Sequence, residues 1–350
     1  MRQHPHLSPS DTWKTLFQPP PAGVTSAETA EARELASPST SFKPSQIEAH
    51  KEILRLLKEN PRDTITIVAI GPLTNLALAA AEDTETFLKV KEIVVMGGAI
   101  EVEGNITPVA EFNTYADAVA TARVFALTSP NPESTMPPPP PAKLSSLPPY
   151  PANLSRRLNL TLFPLDITTP HELTKSMFEA KVGPLIEAGS PLAEWTSVFM
   201  GKTFEKISFL TGGQRDPGLS LHDPLCIWYV LTRSAPSWMI SPKGPEDIRV
   251  ETGGQWTRGM HVVDRRNRQK GSAELQVKSP GAVDIGNPME KVVISADNDV
   301  DYDEIPGDEY GWLSLSKGNR INRIVSSPGE DAFGQYLLER VFGSEEHINV

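Results

Sequence analysis

Three short stretches of the chain are dense in apolar and β-branched residues: 63–70 (DTITIVAI), 91–97 (KEIVVMG) and 158–166 (LNLTLFPLD). Runs of this length closed by Gly or Pro predict strands buried on both faces. Between them the spacing of apolar positions widens to three or four. In 44–61, Ile47, Leu54 and Leu57 fall on one stripe and Ser45 is a candidate N-cap, which predicts an amphipathic helix. Residues 73–90 predict a second helix, with Thr74 or Asn75 at its cap. Residues 114–127 predict a third, with Tyr115, Val119, Ala122 and Phe125 or Ala126 on one side. Strands of this kind alternating with helices predict an α/β fold, a mostly parallel sheet with helices on both faces.

Further along, 190–210 has helical periodicity, and 222–233 opens like a helix with Asp223 at the cap and Pro224 in the first position. Residues 246–254 and 257–266 read as two strands around a Gly-rich turn, and 321–327 and 330–343 as a closing strand and helix. The expected organisation is a Pro- and Ser-rich flexible lead-in (1–45) and one α/β domain (46–343). Two insertions interrupt that domain, one Pro-rich at about 128–157 and one acidic at about 277–319. The five prolines at 137–141 favour an extended segment, either an exposed insertion in a crossover or an SH3-type ligand.

Composition narrows the partners. Of 350 residues, 39% are hydrophobic and 22% charged, which is ordinary for a globular chain. A net charge of −11 without a basic patch argues against binding nucleic acid or an anionic membrane. One cysteine, Cys226, leaves no intramolecular disulfide and no Cys-based zinc site. No apolar run reaches membrane-spanning length, and the first residues lack the apolar core of a signal peptide, so the chain reads as cytoplasmic.

In open parallel sheets, ligands bind beyond the carboxyl ends of the strands, and three polar clusters fall there. After the strand at 91–97 come Asn105, Glu111 and Asn113. Glu111 and Asn113 are two residues apart and in extended backbone point the same way, so a carboxylate and an amide converge on one ligand. Such groups suit vicinal hydroxyls better than a phosphate. The plainer reading is that all three cap the loop and the following helix. His222 and Asp223 form the second cluster, either simple helix capping or a proton donor beside a carboxylate able to hold a hard cation. In the third, Gly71-Pro72 ends the first strand and leaves the Ile70 carbonyl facing the crevice, a calcium-type oxygen. Nucleotide phosphate motifs and a hydrolase serine motif are absent. The acidic run 297–308 has Tyr302 where a calcium-binding EF-hand loop needs Gly, and reads as a solvated loop.

Five stretches (64–80, 90–117, 162–174, 220–231 and 250–266) together resemble the inosine–uridine-preferring nucleoside hydrolases, in that family's order. The resemblance implies a calcium-assisted enzyme that cleaves the N-glycosidic bond of ribonucleosides to ribose and free base, and a possible homo-oligomer. Carried over residue by residue, it implies that Glu111 and Asn113 grip ribose hydroxyls, that Asn105 lies beside the 5′-hydroxyl and that Met96 packs against the sugar. It further implies His222 as the acid that protonates the departing base, with Asp223 and the Ile70 backbone carbonyl as calcium ligands. The sequence departs from the family in lacking the D-x-D-x-x-x-D-D motif before residue 62. The expectation is therefore that the first β–α units are missing, that 63–70 forms an edge strand, and that calcium binds poorly. The alternative function is that of a truncated, catalytically impaired homologue that binds nucleosides or a protein partner without turnover.

Overall fold

The computed structural model describes residues 47–138, 147–213, 215–266 and 308–343. They fall into two compact units: Ala49–Pro170 with His222–Pro328, and His171–Leu221 with the chain from Gly329 onward.

The first unit is built on a five-stranded sheet. Its strands are β1 (Thr66–Ala69), β2 (Glu92–Met96), β3 (Leu160–Phe163), β6 (Met239–Ile240) and β9 (Asn322–Ser326), in the order β1-β2-β3-β9-β6. β1, β2, β3 and β9 are parallel, and β6 runs antiparallel at the edge. Every residue of β2 and β3 is buried, as the unbroken apolar runs predict. β1 pairs only with β2 among the described residues, which leaves it at the other edge, half-buried throughout.

Both faces of β2 and β3 are covered, by different partners. Ile93 and Val95 sit in register with Leu160 and Leu162, and these four join one core with helices α1 (Ala49–Glu59), α2 (Thr74–Glu82), α3 (Thr84–Phe87) and α5 (Ala118–Ala126). The alternate residues face the other way. There Phe163 meets Tyr229 at 5.2 Å, on α9 (His222–Thr232), and Trp238 at 5.9 Å. Buried Glu92 accepts from Thr161 Oγ1 at 2.6 Å and pairs with Arg233 at 3.2 Å. A two-stranded antiparallel pair, β7 (Arg249–Val250) and β8 (His261–Val262), matches the predicted pair around the Gly-rich turn but is only two residues long on each side.

Two predicted helices are each split by an aspartate. The 73–90 helix breaks at Asp83, whose side chain accepts from Thr86 N and starts α3. The cap position of α2 is Leu73, not Thr74 or Asn75, and the Thr74 hydroxyl instead donates to Asp117 at 2.6 Å. The 114–127 helix begins earlier, as α4 (Phe112–Ala116), and breaks at Asp117, which caps α5 through Ala120 N. That break changes the helical phase, so Tyr115 and Val119 are exposed while Ala122, Phe125 and Ala126 are buried. In α1, Leu57 is buried and Ile53 and Leu54 pack on the core, whereas Ile47 precedes the helix and is exposed. Ser45 and the rest of the expected lead-in lie outside the described residues, as do 139–146 and 277–307 of the two expected insertions. The described ends of the Pro-rich segment are mostly exposed or half-buried but are anchored at Tyr150. Tyr150 is buried, donates to the Arg123 carbonyl, and has the Arg123 guanidinium over its ring at 4.9 Å.

The second unit contains an antiparallel pair, β4 (Glu172–Thr174) with β5 (Gly218–Ser220), and helices α7 (Lys175–Glu187), α8 (Pro191–Leu210) and α10 (Glu330–Phe342). Phe178 is its aromatic centre, meeting Phe204 at 5.9 Å and Phe342 at 6.5 Å.

Candidate functional site

The carboxyl ends of β1, β2 and β3 hold the polar residues that the sequence singles out. β2 ends at Met96 and is followed by Gly97 and Gly98. Gly98 has φ +85°, a left-handed conformation open to glycine, and lets the chain turn out of the sheet. Glu111 then caps α4 in extended backbone, only 2% exposed. Its Oε1 accepts from Asn113 N at 2.7 Å, and its Oε2 accepts from Thr114 N and Gly98 N, both at 3.0 Å. Asn113 Nδ2 donates to the Met96 carbonyl at 3.3 Å and lies 3.4 Å from the Met96 sulfur. Asn105 Oδ1 accepts from Phe112 N at 2.9 Å.

These bonds are the loop and helix caps of the plainer reading, and they leave a remainder. Among the described residues, Asn113 Oδ1 and Asn105 Nδ2 have no protein partner. Each amide is thus held by one end and offers the other.

His222 and Asp223 lie in the first turn of α9, which begins at His222 instead of being capped by Asp223. His222 Nδ1 is 2.8 Å from Thr168 Oγ1, in the short helix α6 (Leu165–Thr168) that follows β3. Burial lowers the His222 pKa. Burial, and then the charge of Glu111, raise that of Asp223. The two carboxylates are therefore near enough to repel, which brings the His–Asp pair and the Glu–Asn pair to one neighbourhood. Asp223 has no hydrogen bond or ion pair among the described residues, so nothing relieves that repulsion. Gly71, the neighbour of Ile70, lines a small hollow together with Met96, Gly97, Asn113 and Thr114. That hollow has no room for a water molecule.

Three residues not singled out by sequence complete the surroundings. Asp166 accepts from Ile100 N at 3.0 Å and Glu101 N at 2.8 Å and fixes the start of the 99–110 loop. Thr168 holds His222. His261 is wholly buried, with no hydrogen-bond partner for either ring nitrogen among the described residues, and stacks on Phe125 at 5.5 Å. Burial pushes its pKa down to about 4, with the charge of Asp166 opposing. A polar residue just past a buried strand was the available signal for Asp166 and Thr168. His261 gave none, because its isolation depends on packing by distant segments.

A larger cleft of about 390 Å³ is lined by Asp264, Arg265, Asp308 and Trp312 among others, and includes none of the predicted site residues. Most of its charges are paired: Arg266 with Asp264, Arg265 with Glu101, and Asp308 with the Trp312 and Leu313 backbone N–H groups, while Glu309 has no partner among the described residues.

Calcium takes about six to eight oxygens. The predicted donors are the Asp223 carboxylate and the Ile70 carbonyl, and no group of three His, Cys, Asp or Glu side chains among the described residues is disposed to hold a metal. The donor set present does not by itself fit a calcium site. No helix among the described residues is long and apolar enough to cross a membrane.

Comparison with known proteins bears on the family. The chain is similar to an uncharacterized protein of Schizosaccharomyces pombe, 32% identical over 235 residues, 65% of this chain and 60% of that protein. It is 30% identical to a pyrimidine-specific ribonucleoside hydrolase, RihA, of Citrobacter koseri over 262 residues, 71% of this chain and 68% of the relative. The chain thus spans less than two thirds of the length of the fission yeast relative. Its fold is similar to that of a plant nucleoside hydrolase, PpNRh1, with a TM-score of 0.54 and 19% identity, covering 87% of this chain and 70% of that one. The sequence model described as inosine-uridine preferring nucleoside hydrolase matches residues 14–289. With that match spread over most of its length, the chain belongs to the inosine-uridine preferring nucleoside hydrolase family.

Proposed function

We propose that the chain hydrolyses the N-glycosidic bond of ribonucleosides of the inosine or uridine type, releasing ribose and free base. The observation that carries this reading is the half-buried Asp223 carboxylate, unpartnered, beside Glu111 and next to His222. Uncompensated negative charge at a strand end favours a ligand that turns positive as it reacts. Cleavage of a nucleoside does this: the electron pair of the C–N bond leaves with the base, and positive charge builds on the sugar. Glu111 and Asp223 supply a field for that charge. Asn113 Oδ1 and Asn105 Nδ2 are an acceptor and a donor for sugar hydroxyls. His222 offers a ring nitrogen to the departing base, which takes up a proton. A water oxygen adds to the anomeric carbon and loses its own proton.

A second reading, a homologue that binds nucleosides or a protein partner without turnover, is favoured by two observations. Both oxygens of Glu111 are already engaged by backbone N–H groups, and the hollow beside Met96 has no room for a water molecule. Measuring ribose release from inosine and uridine with calcium present separates the two. On the first reading, release exceeds background and His222→Ala lowers it by about 10²-fold or more. On the second, release stays at background, while calorimetry shows saturable nucleoside binding that Asn113→Ala removes. Neither release nor binding would overturn both.

A further inference from the structure

The Thr168 hydroxyl carries an argument of its own. Thr168 is wholly buried, and its Oγ1 makes a single hydrogen bond, the 2.8 Å contact with His222 Nδ1. A buried hydroxyl hydrogen needs an acceptor. Among the described residues the one acceptor it meets is the imidazole nitrogen. If Nδ1 carried the proton and donated to Thr168, the hydroxyl hydrogen would be left buried and unpaired, which is unfavourable. The hydroxyl therefore donates to Nδ1, and the neutral ring keeps its proton on Nε2.

We propose that Thr168 is a positioning residue that locks neutral His222 in the Nε2–H tautomer and aims that N–H away from α6. Among the described residues Nε2 has no protein partner, and His222 is only partly buried. The N–H is therefore free for a ligand. This deepens the reading of His222 as the leaving-group residue and rests on it for its functional meaning: the ligand atom opposite must be a hydrogen-bond acceptor, a ring nitrogen or carbonyl oxygen on the edge of a base. The same bond restrains the ring, because Thr168 is β-branched and sits on a turn packed behind β3.

The test is long-range 1H–15N correlation spectroscopy of the full chain labelled at histidine, at a pH well above the ordinary imidazole range, with His222→Gln to assign the signal. The expected result is an Nε2-protonated ring whose Nδ1 resonance carries the shift of an accepted hydrogen bond. Thr168→Val should remove that shift, and Thr168→Ser should restore it. A wild-type ring protonated at Nδ1 overturns the proposal without recourse to any variant. So does a Thr168→Val protein that keeps its native spectrum elsewhere and shows an unchanged Nδ1 signal. Turnover does not enter the measurement, so a chain inactive on nucleosides sinks the functional reading while the tautomer result stands or falls separately.

Discussion

The imidazole of His261 occupies the space that a side chain on Gly98 would need: a Cβ built on Gly98 would lie 1.8 Å from the ring. Gly98 also has φ +85° and donates its N–H to Glu111. One glycine thus joins a buried histidine, a turn out of β2 and the best-anchored carboxylate of the site.

Gly98→Ala should therefore destabilise the fold by about 2–5 kcal/mol, from left-handed strain added to displacement of the ring. Urea denaturation measures this. A midpoint equal to that of the wild type would contradict the packing described.

His261 should make the chain acid-sensitive. Its folded pKa is lowered from 6.5 to about 4 by burial. Between those values the unfolded chain binds a proton that the folded chain refuses, so stability is fully present above the unfolded pKa and is lost as pH falls. The shift corresponds to about 3 kcal/mol lost by pH 4. His261→Leu should remove that share of the loss, flattening the dependence of Tm on pH between about 6.5 and 4 relative to the wild type. Parallel curves for the two proteins would refute it.

Glu111 holds three backbone N–H groups in a buried place. Glu111→Ala leaves them without an acceptor and should cost about 2–4 kcal/mol. Glu111→Gln should cost less, since one oxygen remains. Thermal unfolding that ranks the two variants the other way would show that the caps are not what the carboxylate supplies.

Asp223 should behave in the opposite sense. Burial and Glu111 raise its pKa, so its charge opposes folding once pH rises through the folded value. Asp223→Asn should raise Tm at neutral pH in the absence of calcium and lower nucleoside turnover, the pattern of a residue kept for function at the expense of stability. Calorimetric titration should also show calcium binding weaker than micromolar, as two donor positions imply. A lowered Tm in the variant, or micromolar calcium binding in the wild type, would contradict this account.

The sheet was legible in the sequence because β2 and β3 are covered on both faces and so read as unbroken apolar runs. The splits in the helices were not legible, since periodicity runs on across Asp83 and Asp117. Only the side-chain caps to Thr86 N and Ala120 N reveal the breaks. At the site, residue types and spacing singled out Asn105, Glu111, Asn113, His222 and Asp223, and only the family resemblance added Met96. Their bonding was beyond reach: whether a carboxylate faces a ligand or three of its own amides depends on where Gly98 returns from the strand. Thr168 was hidden for the same reason, its partner lying 54 positions away.

The loop between Gly98 and Glu111 is clasped at its root by Glu111 and by Asp166, from opposite sides. A hairpin gripped at the base tolerates lengthening, shortening and recolouring of its tip without disturbing what the base holds. Residues 101–109, apart from Asn105, which holds Phe112 N, and the close-packed Gly104, are accordingly where new selectivity can be grafted onto this chain, by evolution or by design, while the anchoring carboxylates stay as they are.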